Sequence, residues 1–167
     1  RVVSSIEACL PEAAARSVTL VMENHYKDGF WKHREFAQKK DLFVRIVERI
    51  RSPWFGVQFD PSNAVVAGDD PLEVLDAVLP RVRTVHASDR SLAPGATLED
   101  LRQADGTLGY APALVHGVTG KGMNDWDGIF RRLATLERGD LWVSIEDGMN
   151  GMGEMKESVD FLKRMRD

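Results

Sequence analysis

Short runs of β-branched and apolar residues alternate along this chain with longer amphipathic stretches, and that alternation restricts the fold more than any other feature. The runs are "SVTLVMEN", "WFGVQFD", "VRTVHASD", a shorter "APALVHG" and "DLWVSIEDG". Between the first two, "REFAQKKDLFVRIVERI" places Phe36, Leu42, Phe43, Ile46, Val47 and Ile50 at helical spacing. "PLEVLDAVLPRV" starts a helix at Asp70-Pro71, and "NDWDGIFRRLATLE" opens one with Asn124 as its cap. At the two ends, "VVSSIEACLPEAAAR" reads as a helix with Pro11 as a turn or kink. "GEMKESVDFLKRMR" reads as an amphipathic helix with Met155, Val159, Phe161, Leu162 and Met165 on its apolar side. Strands alternating with helices build βα units on a parallel sheet buried on both faces. Five such strands are expected, in a single domain over residues 1–167, because no repeat, low-complexity tract or linker divides the chain.

Composition narrows the function classes. With 167 residues, 43% of them hydrophobic, the chain has material for one real core. A net charge of -4 supplies no global attraction for nucleic acid or a membrane surface, and neither is expected as a partner. The lone Cys9 excludes an intrachain disulfide. No apolar run approaches the roughly 18 residues of a membrane helix, and no secretory segment is present, so the expected location is cytoplasmic. Opening on Arg1 inside a helical segment, the chain reads as part of a longer protein. Arg90 to Gly109 is a long stretch with at most a helical turn around Leu98 to Gln103, and loops of that length commonly cover functional sites.

In parallel α/β sheets, reactive groups collect at the C-terminal ends of strands. The first, second, third and fifth runs here end on Glu23, Asp60, His86 and Glu146. Each has a plainer explanation taken alone: Asp60 before Pro61 is a common turn or cap residue, and a single His86 is commonly a satisfied core histidine. Glutamate is a poor turn former, and it is costly beside a buried strand unless paired or metal-bound. Four such residues at corresponding strand ends form a binding constellation. Mixed oxygen and nitrogen donors suit one divalent ion such as Mn²⁺, Mg²⁺, Co²⁺ or Zn²⁺.

The strings "LVMENH", "GVQFDPSN", "TVHASDR", "HGVTGKGMNDWDGIF" and "LWVSIEDG", in this order, resemble the second half of the sugar phosphate isomerase/epimerase family. That resemblance implies an α/β fold, the xylose isomerase-like (β/α)8 TIM barrel, of which this chain would supply strands four to eight as a partial barrel. It implies a divalent metal held by Glu23, Asp60, His86 and Glu146. It also implies catalytic roles for Glu23 and Glu146, which would exchange protons with the substrate on opposite faces of a metal-stabilised cis-enediolate. The implied substrate is a sugar, sugar phosphate or sugar-derived keto acid. The epimerases have a histidine three residues after the metal aspartate; Asn63 stands there in this chain and offers hydrogen bonding to a hydroxyl instead. Arg90, after the His86 strand, could fork onto a carboxylate, phosphate or diol, or pair with Asp89 at the surface. His25 could reach substrate from the first loop or cap it, and His116, which opens the glycine-containing "HGVTGKG" stretch, is a further expected substrate contact.

Other reaction classes remain open at this level. A lyase would use the same metal and a carboxylate base to dehydrate a keto-polyol such as an inosose. The apurinic endonuclease branch of the superfamily resembles the chain at "HGVTGKG". It uses three Zn²⁺, with a histidine and an aspartate at positions that hold Asn63 and Leu114 here. A non-catalytic sugar-binding protein would need no metal. Five parallel strands do not close a barrel, so the sheet edges call for the rest of a longer protein or for association, a homo-oligomer being one form of it.

Overall fold

The computed structural model describes residues 1–25, 36–37, 39–103, 112–136, 139–146 and 150–166. Residues 104–109 of the expected long loop, and Arg34, Glu35 and Gln38 at the head of the expected second helix, lie outside them. The elements in chain order are α1 (Val2–Ala15), β1 (Leu20–Glu23), α2 (Lys40–Arg49), β2 (Phe55–Phe59), α3 (Pro61–Val66) and α4 (Pro71–Val78). A 3-10 turn (Leu79–Arg81), β3 (Val82–Ala87), β4 (Asp89–Leu92), α5 (Leu98–Gln103), β5 (Leu114–Gly117), α6 (Trp126–Ala134), β6 (Trp142–Ile145) and α7 (Met152–Arg166) follow. Among the described residues, no helix is long and apolar enough to cross a membrane.

Four strands form a parallel sheet in the order β1-β2-β3-β6, a partial barrel as expected. The "APALVHG" run does not join it. Its strand β5 pairs antiparallel with β4, setting Asp89 opposite Gly117 and Leu92 opposite Leu114. Ser88 alone separates β3 from β4, and the reversal that brings β5 antiparallel to β4 falls between Leu92 and Leu114. Buried Val65 and Leu101, with Leu92, Ala113, Leu114 and Met123 packed on them, give this hairpin its own small core. β6 then takes the place beside β3.

One face of the sheet is covered by helices, and the other is not, which corrects the expectation of burial on both. Leu20 and Met22, Phe55, Val57 and Phe59, Val82, Val85 and Ala87, and Val143 and Ile145 all pack into the main core. They meet Phe43, Ile46 and Val47 of α2, Val74, Leu75 and Val78 of α4, Ile129 and Leu133 of α6, and Phe161, Leu162 and Met165 of α7. Full burial of each large apolar side chain is worth about 1.5–3 kcal/mol. The alternate residues Glu23, Gln58, Thr84, His86, Trp142 and Ser144 are half-buried or exposed on the opposite face. That face carries the polar site residues and also the exposed Trp142.

A β-bulge makes this division work on β3. Val57 pairs with Val82, but the next residue, Gln58, pairs with Thr84, leaving Arg83 without a counterpart. The extra residue lets Val82 and Val85 both face the core while Thr84 and His86 face the site. Gly56 permits it: a Cβ there would lie 2.4 Å from Arg83 Cγ and 2.9 Å from the Arg81 carbonyl oxygen.

Helix starts follow the sequence signals at α3 and α4 and depart at α6, and α1 departs from its expected turn or kink at Pro11. Asp60 and Asp70 cap α3 and α4, accepting from the backbone N–H groups of Asn63 and Leu72, each with proline next. The cap of α6 is Asp125, which accepts from Gly128 N at 2.8 Å, and not Asn124. The Asn124 side chain is committed elsewhere, donating to Ser62 Oγ, the Ser88 carbonyl and Asp89 Oδ1 at 3.2, 3.0 and 3.1 Å. Helix α1 runs unbroken through Pro11, since Leu10 packed on the core and buried Ala13 anchor it on both sides.

Asp89 organises the segment before α6. It is 3% exposed, and its carboxylate accepts hydrogen bonds from the backbone N–H groups of Arg90, Gly120, Gly122 and Asn124, from Asn124 Nδ2 and from Trp126 Nε1, at 2.9–3.3 Å. The glycines of "HGVTGKG" answer to this packing. Gly120 has φ 89°, and a Cβ on it would lie 2.6 Å from the Phe161 ring; a Cβ on Gly122 would lie 2.2 Å from Asp89 Oδ1. Replacing Asp89 with Ala would orphan buried donors and is expected to destabilise the protein by about 3 kcal/mol. Chemical denaturation of Asp89→Ala measures this, and a midpoint equal to that of the parent would rule out the organising role.

Candidate metal centre

The four strand-end residues converge. Glu23 is the last residue of β1, Asp60 follows β2, His86 is the penultimate residue of β3 and Glu146 follows β6. Each offers one ligand atom, and these atoms all lie within 4.8 Å of one another. Among the described residues this is the one such group. His86 Nδ1 stands 3.2 Å from Glu146 Oε2, 3.3 Å from Glu23 Oε1 and 3.8 Å from Asp60 Oδ2. An imidazole nitrogen carries at most one proton, so it cannot serve three carboxylates at once. Asp60 Oδ2 is buried and accepts no hydrogen bond. A cation among the four atoms would satisfy all of them, so the residues fit a divalent metal.

The electrostatics reflect the crowding. The Glu146 carboxylate, then that of Glu23, close to Nδ1 raise the His86 pKa from 6.5 to about 10, against the opposing effect of burial. Glu146 is held below the usual carboxylate value, chiefly by the neighbouring His86. Asp60 is raised well above it, first by burial and then, against the Asn63 N–H bond, by the neighbouring Glu23 and Glu146 charges.

A shell of amides and hydroxyls fixes the carboxylates. Asp60 uses Oδ1 to cap α3, accepting from Asn63 N at 3.0 Å, so the cap role and the site role fall on different oxygens. Buried Asn24 clamps the Asp60 backbone, donating to its carbonyl at 2.7 Å and accepting from its N–H at 2.9 Å. Glu23 Oε1 accepts from Asn63 Nδ2 at 3.1 Å, and Oε2 accepts from Gln58 Nε2 at 3.3 Å. Thr84 Oγ1 donates to Gln58 Oε1 at 3.0 Å.

Of the other expected site residues, Asn63 is brought to the cluster and binds Glu23. His25 follows Asn24 at the end of β1 and is half-buried. Arg90 is not a surface residue: it is 2% exposed on β4, and its backbone N–H donates to Asp89. His116 sits on β5 as the register partner of Arg90, outside the four-residue group. Leu114, at the position where the nuclease branch has an aspartate, packs in the small hairpin core. Gln58 and Thr84 escaped sequence reasoning, although each lies two residues before a strand-end ligand and therefore on the same face of its strand.

The profile of the xylose isomerase-like TIM barrel family matches residues 1–165. No curated protein matches the chain. Among solved structures, a xylose isomerase domain protein from Planctomyces limnophilus superposes with TM-score 0.72 at 19% identity, over 98% of this chain and 50% of that one. A probable 3-DHS dehydratase, AsbF, from Bacillus anthracis gives TM-score 0.68 at 15% identity, over 96% of this chain and 55% of that one. A D-tagatose 3-epimerase-like protein gives TM-score 0.68 at 17% identity, over 98% and 52%. The chain thus spans about half the length of each of these structures. With its partial parallel barrel and a family match over almost its whole length, the chain belongs to the xylose isomerase-like TIM barrel family.

Proposed function

We propose that this chain carries the metal-binding and proton-transfer residues of an isomerase or epimerase acting on a sugar, a sugar phosphate or a sugar-derived keto acid. The observation that carries the reading is the convergence of Glu23, Asp60, His86 and Glu146 on one end of the sheet. In strand order, the two glutamates come from the outer strands β1 and β6, and Asp60 and His86 come from the inner ones. A carbon acid held over the inner pair has a carboxylate on each side. One glutamate can take the proton from carbon while the other returns one, which inverts a centre or, with return to the neighbouring carbon, moves a carbonyl. A divalent cation, when bound, supplies Lewis-acid stabilisation of the negative charge that develops on the substrate oxygens.

Metal analysis of the protein is expected to give one divalent ion per chain, and Glu23→Gln and Glu146→Gln each to weaken binding at least about tenfold. Undiminished binding in both variants would sink the assignment, and several Zn²⁺ per chain with cleavage of abasic DNA would transfer it to the nuclease branch. In a solvent-deuterium exchange screen over ketoses and keto acids, either substitution is expected to slow exchange by about 10²-fold or more. Net loss of water from the product would instead mark a dehydratase.

The pH dependence follows from His86. With its pKa raised to about 10 in the metal-free protein, the imidazole is protonated at neutral pH and must lose that proton before Nδ1 meets a cation. Metal affinity should therefore rise with pH, by up to about tenfold per unit, and flatten above about 10. The same raised value means that pairing of His86 with its carboxylates stabilises the metal-free fold fully below pH 6.5 and that this contribution is lost as pH climbs through about 10. Titration calorimetry at pH 7 in buffers of different ionisation enthalpy should report about one proton released per ion bound. A count near zero would contradict the protonated imidazole.

A further inference from the structure

Glu23 does not offer its two oxygens equivalently. Oε1 is the one 3.3 Å from His86 Nδ1, whereas Oε2 is turned to the side-chain amide of Gln58. The amide is oriented in turn. Gln58 donates from Nε2 to Glu23 at 3.3 Å, and its carbonyl accepts a hydrogen bond from the Thr84 hydroxyl at 3.0 Å. The three residues form one row across the sheet: Glu23 is the register partner of Gln58, and Gln58 that of Thr84. Thr84 reaches this row only because of the bulge. With the register of Val57 and Val82 continued, Arg83 would stand opposite Gln58. The bulge and the Gly56 cleft beneath Arg83 thus deliver a hydroxyl to the amide as well as His86 to the metal site.

We infer that Gln58, oriented by Thr84, is a positioning residue that withholds one oxygen of Glu23 and leaves the other for the cation. The inference rests on the metal-site reading above and adds a control on how Glu23 is presented. Without the amide, Oε2 can swing toward the cation while Asn63 still holds Oε1 at 3.1 Å, and the site loses its preset arrangement.

The probe is Co²⁺ alone, titrated into the protein with its visible d–d spectrum recorded at equal loading. Gln58→Met is expected to weaken Co²⁺ binding about tenfold and to change the band shape. Thr84→Val, which keeps the shape of the side chain, should move both readouts in the same direction. Thr84→Ser, which keeps the hydroxyl, should restore the parent values, a rescue that a packing role would not produce. Parent-like affinity and spectrum in Gln58→Met and Thr84→Val, or equal damage from Val and Ser at position 84, would overturn the positioning role while leaving the metal site standing. Absence of Co²⁺ binding by the parent protein would overturn the metal site and this inference together.

Discussion

Three carboxylate oxygens stand within 4 Å of a single imidazole nitrogen, and most of the surrounding structure can be understood as what holds that arrangement together. Like charges at such spacing repel, and the repulsion grows as solvent is withdrawn. Asp60 is fully buried and Glu23 largely so, while Glu146 is more open to solvent. The protein answers with rigid attachment: Asn24 and the α3 cap fix Asp60, and Asn63 and Gln58 fix Glu23. In the metal-free chain the His86 proton is the one positive charge at the centre of the cluster. A divalent cation would do the same job for all four residues at once, which is why the donor set and the electrostatics lead to the same reading.

How much of this the sequence discloses depends on the range of the interaction involved. The strand ends at Glu23, Asp60, His86 and Glu146 were legible because local periodicity marks a buried run and its last residue. The caps at Asp60 and Asp70 were legible for the same reason. Asn124 misled because an Asx residue before an apolar run fits either a cap or a long-range donor, and here Asp125 caps while Asn124 reaches Ser62, Ser88 and Asp89. The "APALVHG" run misled because strand propensity carries no partner: its pairing with residues 89–92 rests on a small core built from Val65 and Leu101. The bulge at Arg83 had no local signature either, since it depends on the room that Gly56 leaves on the neighbouring strand β2.

The hairpin and the site are nonetheless one construction. Asp89 lies three residues beyond His86, and its carboxylate gathers the 120–126 segment; Asn124 in that segment also reaches Ser62, two residues beyond Asp60. Two of the four strand ends are therefore braced from above by the same short stretch, whose glycines at 120 and 122 are required by its closeness to Phe161 and Asp89. Bracing of this kind explains why a segment that leaves the parallel sheet still matters to it. The sheet sets which residues meet through register, a backbone property with a spacing of several ångströms. Setting carboxylate oxygens to the tenths of an ångström that a cation or a proton transfer requires takes side-chain hydrogen bonds, and this fold supplies them from Asn24 after β1, Asn63 on α3 and Gln58 on β2, itself held by Thr84 of β3.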